Sequence, residues 1–153
     1  MRQQAFNAAS QAVMPFRTGA IVVPLDGSVH AAAALPVARV LAELESVPLH
    51  VLHVAPKKLP PRELLQRLQL SRTQLRGAII DSLSGPAATV IVAQASQRQA
   101  RFIVMCAHGR PVGTAGEVGR VAIEVLQSAP CPVVLGPQRA EPRPWAGRLR
   151  PRA

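Results

Sequence analysis

Cysteine, aromatics and long apolar runs are the scarce features of this sequence. Cys106 and Cys131 are its only cysteines, tyrosine is missing, and one tryptophan and three phenylalanines make up an aromatic content of 3%. Two thiols build no disulfide framework and point to a reducing compartment, so a cytoplasmic location is expected. No uncharged apolar stretch reaches the roughly 18–20 residues that a bilayer-spanning helix needs, so no membrane is expected among the partners. Neither G-x-x-x-x-G-K-[ST] nor a G-x-G-x-x-G after the first strand occurs, which sets aside P-loop hydrolases and ordinary dinucleotide dehydrogenases. The four histidines are scattered, no Cys/His spacing suggests zinc, and no Ser/His/Asp arrangement can be argued. No catalytic or metal-ligating residue is therefore assigned.

What is abundant is small and apolar. Hydrophobic residues reach 48% of 153, carried by Ala, Val, Leu and Ile, enough for one domain with a real core built of many small side chains. The formal charge of +10 suggests an anionic partner until the charges are placed. Residues 1–19 carry Arg2 and Arg17 with no acid, and residues 137–153 carry Arg139, Arg143, Arg148, Arg150 and Arg152 against Glu141 alone. Between them eleven Lys and Arg oppose seven Asp and Glu, a mild excess. Residues 1–19 are thus expected to be a disordered extension, with an organellar transit peptide as the alternative, and 137–153 a disordered basic Pro/Arg-rich tail. Nucleic acid is a partner only if that tail, with Trp145 among its arginines, binds it.

Between the tails, apolar runs and turn signals alternate. Short β-branched runs at 20–25, 49–54, 77–83, 101–105 and 131–135 read as strands. Helical spacing runs through 29–45, with Pro36 inside it, and through 62–75, 87–97 and 117–128. Pro86 is expected at the first helical position of the third of these. Strand and helix in alternation imply a doubly wound α/β domain, a five-stranded parallel sheet with helices on both faces. Ligands of such sheets sit beyond the carboxyl ends of the strands, where strand order reverses.

At those ends the sequence is distinctive. The first strand runs into Pro24, Leu25, Asp26, Gly27 and Ser28. A glycine-rich loop with Gly109, Gly113, Gly116 and Gly119 precedes the last helix, where free amides and the helix dipole suit phosphate, with Arg110 and Arg120 flanking. A plain chain-turning loop is the alternative reading. Cys106, near that helix start, invites a redox reading against a structural one. If Cys106 ends the fourth strand and Cys131 begins the fifth, they lie ~15 Å apart at ~3.3 Å per residue and cannot bond within one chain.

These segments together resemble the universal stress protein family. That family shows a first strand ending in a Pro-x-Asp-type turn, a strand carrying His-Val, and a late G-x2-G-x9-G-[ST] loop. Here the matching residues are Pro24-Leu25-Asp26, then His53-Val54, then IVMCAHGRPVGTAGEVGRVAIEVLQSAPCPVVLG across 103–136. The resemblance covers about 20–136 and implies strand order 3-2-1-4-5, a Rossmann-like layout. It implies a stress-response module binding ATP, or AMP or ADP, with Mg held through the phosphates. Asp26 would hydrogen-bond the ribose or adenine side beside the backbone of Pro24 and Leu25. Val54 and Met105 would line the adenine slot, and Gly109, Gly119 and Val121 would present backbone to the phosphates. A homodimer through the last strand, between Pro132 and Gly136, is also implied.

Two positions depart from the pattern. Cys106 stands where the family has its first glycine and Arg120 where it ends in Ser or Thr. Losing a phosphate-binding hydroxyl costs about 0.5–1.5 kcal/mol, and a side chain forced into a packed site roughly 1–3 kcal/mol. A direct Arg120 contact to phosphate would return a comparable amount. The alternatives are a family member that has lost ATP binding and acts through protein contacts, or a slow ATPase or autophosphorylating enzyme.

Overall fold

The computed structural model describes residues 18–107 and 118–136. The extension over 1–17, most of the glycine-rich loop with Gly109 and Arg110, and the tail over 137–153 lie outside the described residues. The elements run β1 (Ile21–Pro24), α1 (Val29–Ala32), α2 (Ala34–Glu45), β2 (Leu49–Ala55), α3 (Pro61–Leu68), β3 (Ala78–Ser84), α4 (Ala87–Gln97), β4 (Phe102–Cys106), α5 (Arg120–Ser128) and β5 (Val133–Gly136). All four strand pairings are parallel and the order is β3-β2-β1-β4-β5, as the resemblance implies.

Several boundaries differ from the sequence reading. The helix expected over 29–45 is broken at Ala33. Pro36 cannot donate to the carbonyl four residues back and its ring crowds that group, so the break falls one turn upstream. In α2 it occupies the first turn, where an amide would have no helical partner. The helix expected over 62–75 stops at Leu68, because Gln69 adopts a left-handed conformation at φ 50°. A separate turn follows, in which the Ser71 hydroxyl accepts from the Gln74 amide and the Gln74 side chain accepts from the Ser71 amide. Pro86 serves as the N-cap of α4 instead of its first residue. The last helix begins at Arg120 and the last strand at Val133, both later than the apolar pattern alone suggests.

The sheet is covered on both faces. Ile21, Val23, Leu49, Val51 and Val104 pack against Ala34, Leu35, Ala38 and Ala42 of α2 and Leu64 and Leu68 of α3. On the opposite face Val22, Leu52, Ile103 and Met105 meet Ala88, Ile91 and Ala95 of α4 and Ala122 and Val125 of α5. Alanine dominates the helix side of both contacts, so the helices sit close to the sheet; this is how a chain poor in aromatics fills its core. Complete burial of side chains such as Ile21, Leu52 and Ile103 stabilises by about 1.5–3 kcal/mol each. Among the described residues no helix is long and apolar enough to cross a membrane.

Candidate functional site

The strand order makes β1 and β4 the switch point, since the chain leaves β1 toward β2 and later returns on the other side to β4. There the sheet opens. β1 pairs with β2 along its whole length, from Ile21↔Leu49 to Pro24↔Leu52, but with β4 only at Ile21↔Phe102 and Val22↔Ile103. Leu25 donates its amide to the Leu52 carbonyl at 2.8 Å, so the odd residues of β1 turn their polar groups to β2 and the even ones to β4. The next bond from β1 to β4 would need an amide hydrogen at position 24. Pro24 has none. The β1–β4 ladder therefore ends at Val22 while β4 continues to Cys106, so no ladder bond joins the two strand ends at the crevice that such a switch point forms.

Three segments frame this crevice. After β1, the Asp26 carboxylate accepts from the Ser28 amide at 2.8 Å, and the Ser28 hydroxyl caps α1 by accepting from the Ala31 amide at 3.1 Å. Between them Gly27 takes φ +84° against the last turn of α3, where a Cβ would lie 2.7 Å from the Arg67 carbonyl oxygen. Beyond β4, Ala107 donates to Gly136 at 3.2 Å and accepts from Gly119 at 2.6 Å. That last bond closes the neck of the loop and brings Gly119, the N-cap of α5, to the end of β4. The first amides of α5, those of Arg120 and Val121, begin the helix there and carry the positive end of its dipole.

The sequence-derived site residues divide among distinct environments. Val54 and Met105 pack in the α4/α5-side cluster, sharing one face of the sheet. Leu25 and Cys106 are buried in the cluster on the α1–α3 side, and the Leu25 backbone is bonded at its amide to Leu52 and at its carbonyl to His53. Pro24 and Asp26 are half-buried at the rim. Arg120 does not turn inward: its side chain is 92% exposed and its Nε donates to Glu124 one turn along α5 at 2.9 Å. Val121 is also partly exposed. Gly109 lies outside the described residues.

Cys106 turns its thiol toward α1. Its thiol donates to the His30 carbonyl of α1, among the side chains over that end of the sheet. Burial raises its pKa above the ordinary thiol value, against a backbone hydrogen bond at Ala34, and the nearby Asp26 carboxylate raises it further. A buried, hydrogen-bonded sulfur packs as a structural group, the structural one of the two sequence readings. The Asp26 contribution also carries geometric information, because it puts the ends of β1 and β4 within electrostatic reach of each other. Cys131 lies two residues before β5, and the register Cys106↔Gly136 keeps the two sulfurs at opposite ends of that strand.

Sequence reasoning missed two contributors. His53, 3% exposed, places Nδ1 2.8 Å from the Leu25 carbonyl, and Arg67 backs Gly27. The His-Val pair marks the strand, but nothing local shows that its imidazole reaches across to β1. Among the described residues no group of His, Cys, Asp and Glu could hold a metal ion.

Comparison with known proteins agrees with this fold. The model of the universal stress protein family matches residues 63–137. No curated protein matches the chain. Among solved structures, the universal stress protein UspA from Lactobacillus plantarum superposes with TM-score 0.61 at 26% identity, covering 78% of this chain and 97% of that one. A universal stress protein in complex with cAMP gives TM-score 0.61 at 20% identity, covering 80% and 98%. One from Archaeoglobus fulgidus in complex with dAMP gives 0.58 at 23%, covering 78% and 98%.

Proposed function

We propose that this chain, which has the universal stress protein fold and matches that family's model over residues 63–137, binds an adenine nucleotide in the crevice between β1 and β4. The observation that carries the reading is the early end of the β1–β4 ladder at Pro24. It leaves a gap at the switch point, lined by the Asp26 turn on one side and by the amide-rich start of α5 on the other. A carboxylate acceptor beside one wall and free helix amides beside the other suit a molecule with hydroxyls at one end and phosphate at the other. Asp26 takes the ribose or adenine end, Val54 and Met105 border the base, and Gly119, Val121 and Gly109 offer backbone to phosphate. Structural relatives in complex with cAMP and dAMP support the adenine nucleotide class. ATP is the nucleotide we assign, with Mg held through its phosphates, in a cytoplasmic stress-response module.

We assign the open edge of β5 to a homodimer contact. Val133, Val134 and Leu135 are only half-buried, and no strand covers that side among the described residues. A second reading, action through protein contacts without nucleotide, is favoured by Val37, Val40 and Leu44, which expose one flank of α2 to solvent. The two readings separate in one experiment: mass spectrometry of protein purified without added nucleotide, then calorimetry with ATP and AMP on wild type and Asp26→Ala. Saturable binding weakened about tenfold or more by the substitution supports the crevice, at the strength of a hydrogen bond to a charged group. No binding by wild type at millimolar nucleotide leaves the protein-contact reading standing.

A further inference from the structure

The Asp26 turn is held by two clamps, and one of them is a side chain. His53 lies near the end of β2, buried, on the face that carries Val51 and His53 in alternation. A carbonyl oxygen only accepts, so the 2.8 Å approach of Nδ1 to the Leu25 carbonyl makes the imidazole the donor and places a hydrogen on Nδ1. Leu25 is thereby fixed at both backbone groups, its amide by Leu52 and its carbonyl by His53. On the far side of Asp26, Gly27 is seated against Arg67.

This arrangement sets the orientation of one peptide unit. In a trans peptide the N–H points opposite to the C=O. With the Leu25 carbonyl held toward β2, the Asp26 amide points to the β4 side, into the crevice, where it has no acceptor among the described residues. The same constraint fixes the start of the Asp26 side chain, whose carboxylate is turned back onto the Ser28 amide.

We infer that His53 is a positioning residue of the crevice: its Nδ1–H to Leu25 bond aims the Asp26 amide at the ligand and holds the turn that carries the Asp26 carboxylate. For its ligand arm the inference rests on the nucleotide reading above. It also has a consequence in the free protein, because a released Leu25 carbonyl lets the turn reorient and the Ser28 amide exchange.

The test compares His53→Leu, which keeps apolar bulk and removes the donor, with His53→Asn, whose amide nitrogen reaches the place of Nδ1. Two readouts are taken on the full chain: hydrogen exchange at the Ser28 amide without ligand, and calorimetric AMP affinity. In His53→Leu, Ser28 exchange is expected to rise and AMP affinity to fall, each about tenfold, the scale of one buried hydrogen bond; His53→Asn is expected to stay within about threefold of wild type in both. A folded His53→Leu protein with both readouts unchanged overturns the inference. If wild type binds neither AMP nor ATP, the nucleotide reading fails, and His53 is judged on Ser28 exchange alone. Should His53→Leu not fold, His53→Gln takes its place, since its longer side chain carries the amide past the Nδ1 position; equal Ser28 exchange in the Gln and Asn variants then overturns it.

Discussion

Alanine at position 27 isolates the packing of the Asp26 turn against α3. Gly27 and Gly77 both have positive φ, +84° and +71°, but a Cβ on Gly27 would meet the Arg67 carbonyl at 2.7 Å while one on Gly77 would meet nothing within 4 Å. The conformational penalty for a non-glycine residue is therefore similar at the two sites, about 1–2 kcal/mol. It is offset in both by about 0.4–1 kcal/mol because alanine restricts the unfolded chain. Only at Gly27 is there an added clash. The oxygen it meets belongs to the backbone of the last turn of α3, anchored next door by Leu68 in the core, so it cannot swing aside like a flexible side chain. Overpacking of this kind costs about 1–3 kcal/mol. Gly77→Ala is thus expected to lose roughly 0.5–1.5 kcal/mol and Gly27→Ala roughly 2–4 kcal/mol. Urea unfolding of both variants under one set of conditions measures the difference. Losses equal within about 0.5 kcal/mol, the usual scale of surface substitutions, would refute the close seating of the turn on α3.

Three further outcomes follow from named side chains. His50 is 6% exposed with Nδ1 unpartnered; burial, then Arg98, hold its pKa below 6.5 while Asp81 opposes them. The unfolded chain therefore takes up a proton that the folded one refuses, and this contribution to stability, full above the unfolded value of 6.5, is lost as pH falls below it. His50→Leu should flatten the stability profile as pH falls below 6.5, as read by urea unfolding at several pH values, and an unchanged slope contradicts this. Burial raises the pKa of Cys106 and Cys131, so both thiols should alkylate slowly near neutral pH until denaturant is added, with the more deeply buried Cys106 slower. Rapid native labelling of Cys106, located by peptide mass, would be the contrary result. Cys106→Gly removes the sulfur packed under α1 and adds backbone freedom, and should lower stability by about 1–3 kcal/mol in urea unfolding. A gain in stability would mean that the thiol is strained there.

The legible part of this fold was the part written locally. Runs such as 21–23 and 103–105 are β-branched or apolar and bounded by turn residues, and the alternation of such runs with helical spacing predicts parallel pairing without reference to any single contact. The 87–97 segment is assigned correctly as helix despite Val90, Ile91 and Val92, because its length and alanines outweigh the β-branched run. Where the reading slipped, the deciding interaction was one residue's backbone. Gln69 turns left-handed and ends α3, and Pro36 acts on a carbonyl one turn before itself. At the site, the chemical residues could be found but not their directions. Periodicity cannot show that Cys106 turns toward α1, that Arg120 spends its charge on Glu124, or that His53 reaches the Leu25 carbonyl 28 residues earlier. Pro24 was legible as a residue of the turn, yet its effect on the ladder requires knowing that β4 is its neighbour.

The central claim is that ligand enters at the carboxyl-end crevice between β1 and β4, and amide chemical-shift mapping during an AMP titration of isotope-labelled protein tests it most directly. The account predicts saturable shifts centred on Asp26, Gly27, Ser28, Val54, Ala107, Gly119 and Val121, with little change at the other rim. Largest shifts at His50, Arg98 and Arg101, or no shifts with either AMP or ATP at millimolar concentration, would contradict it.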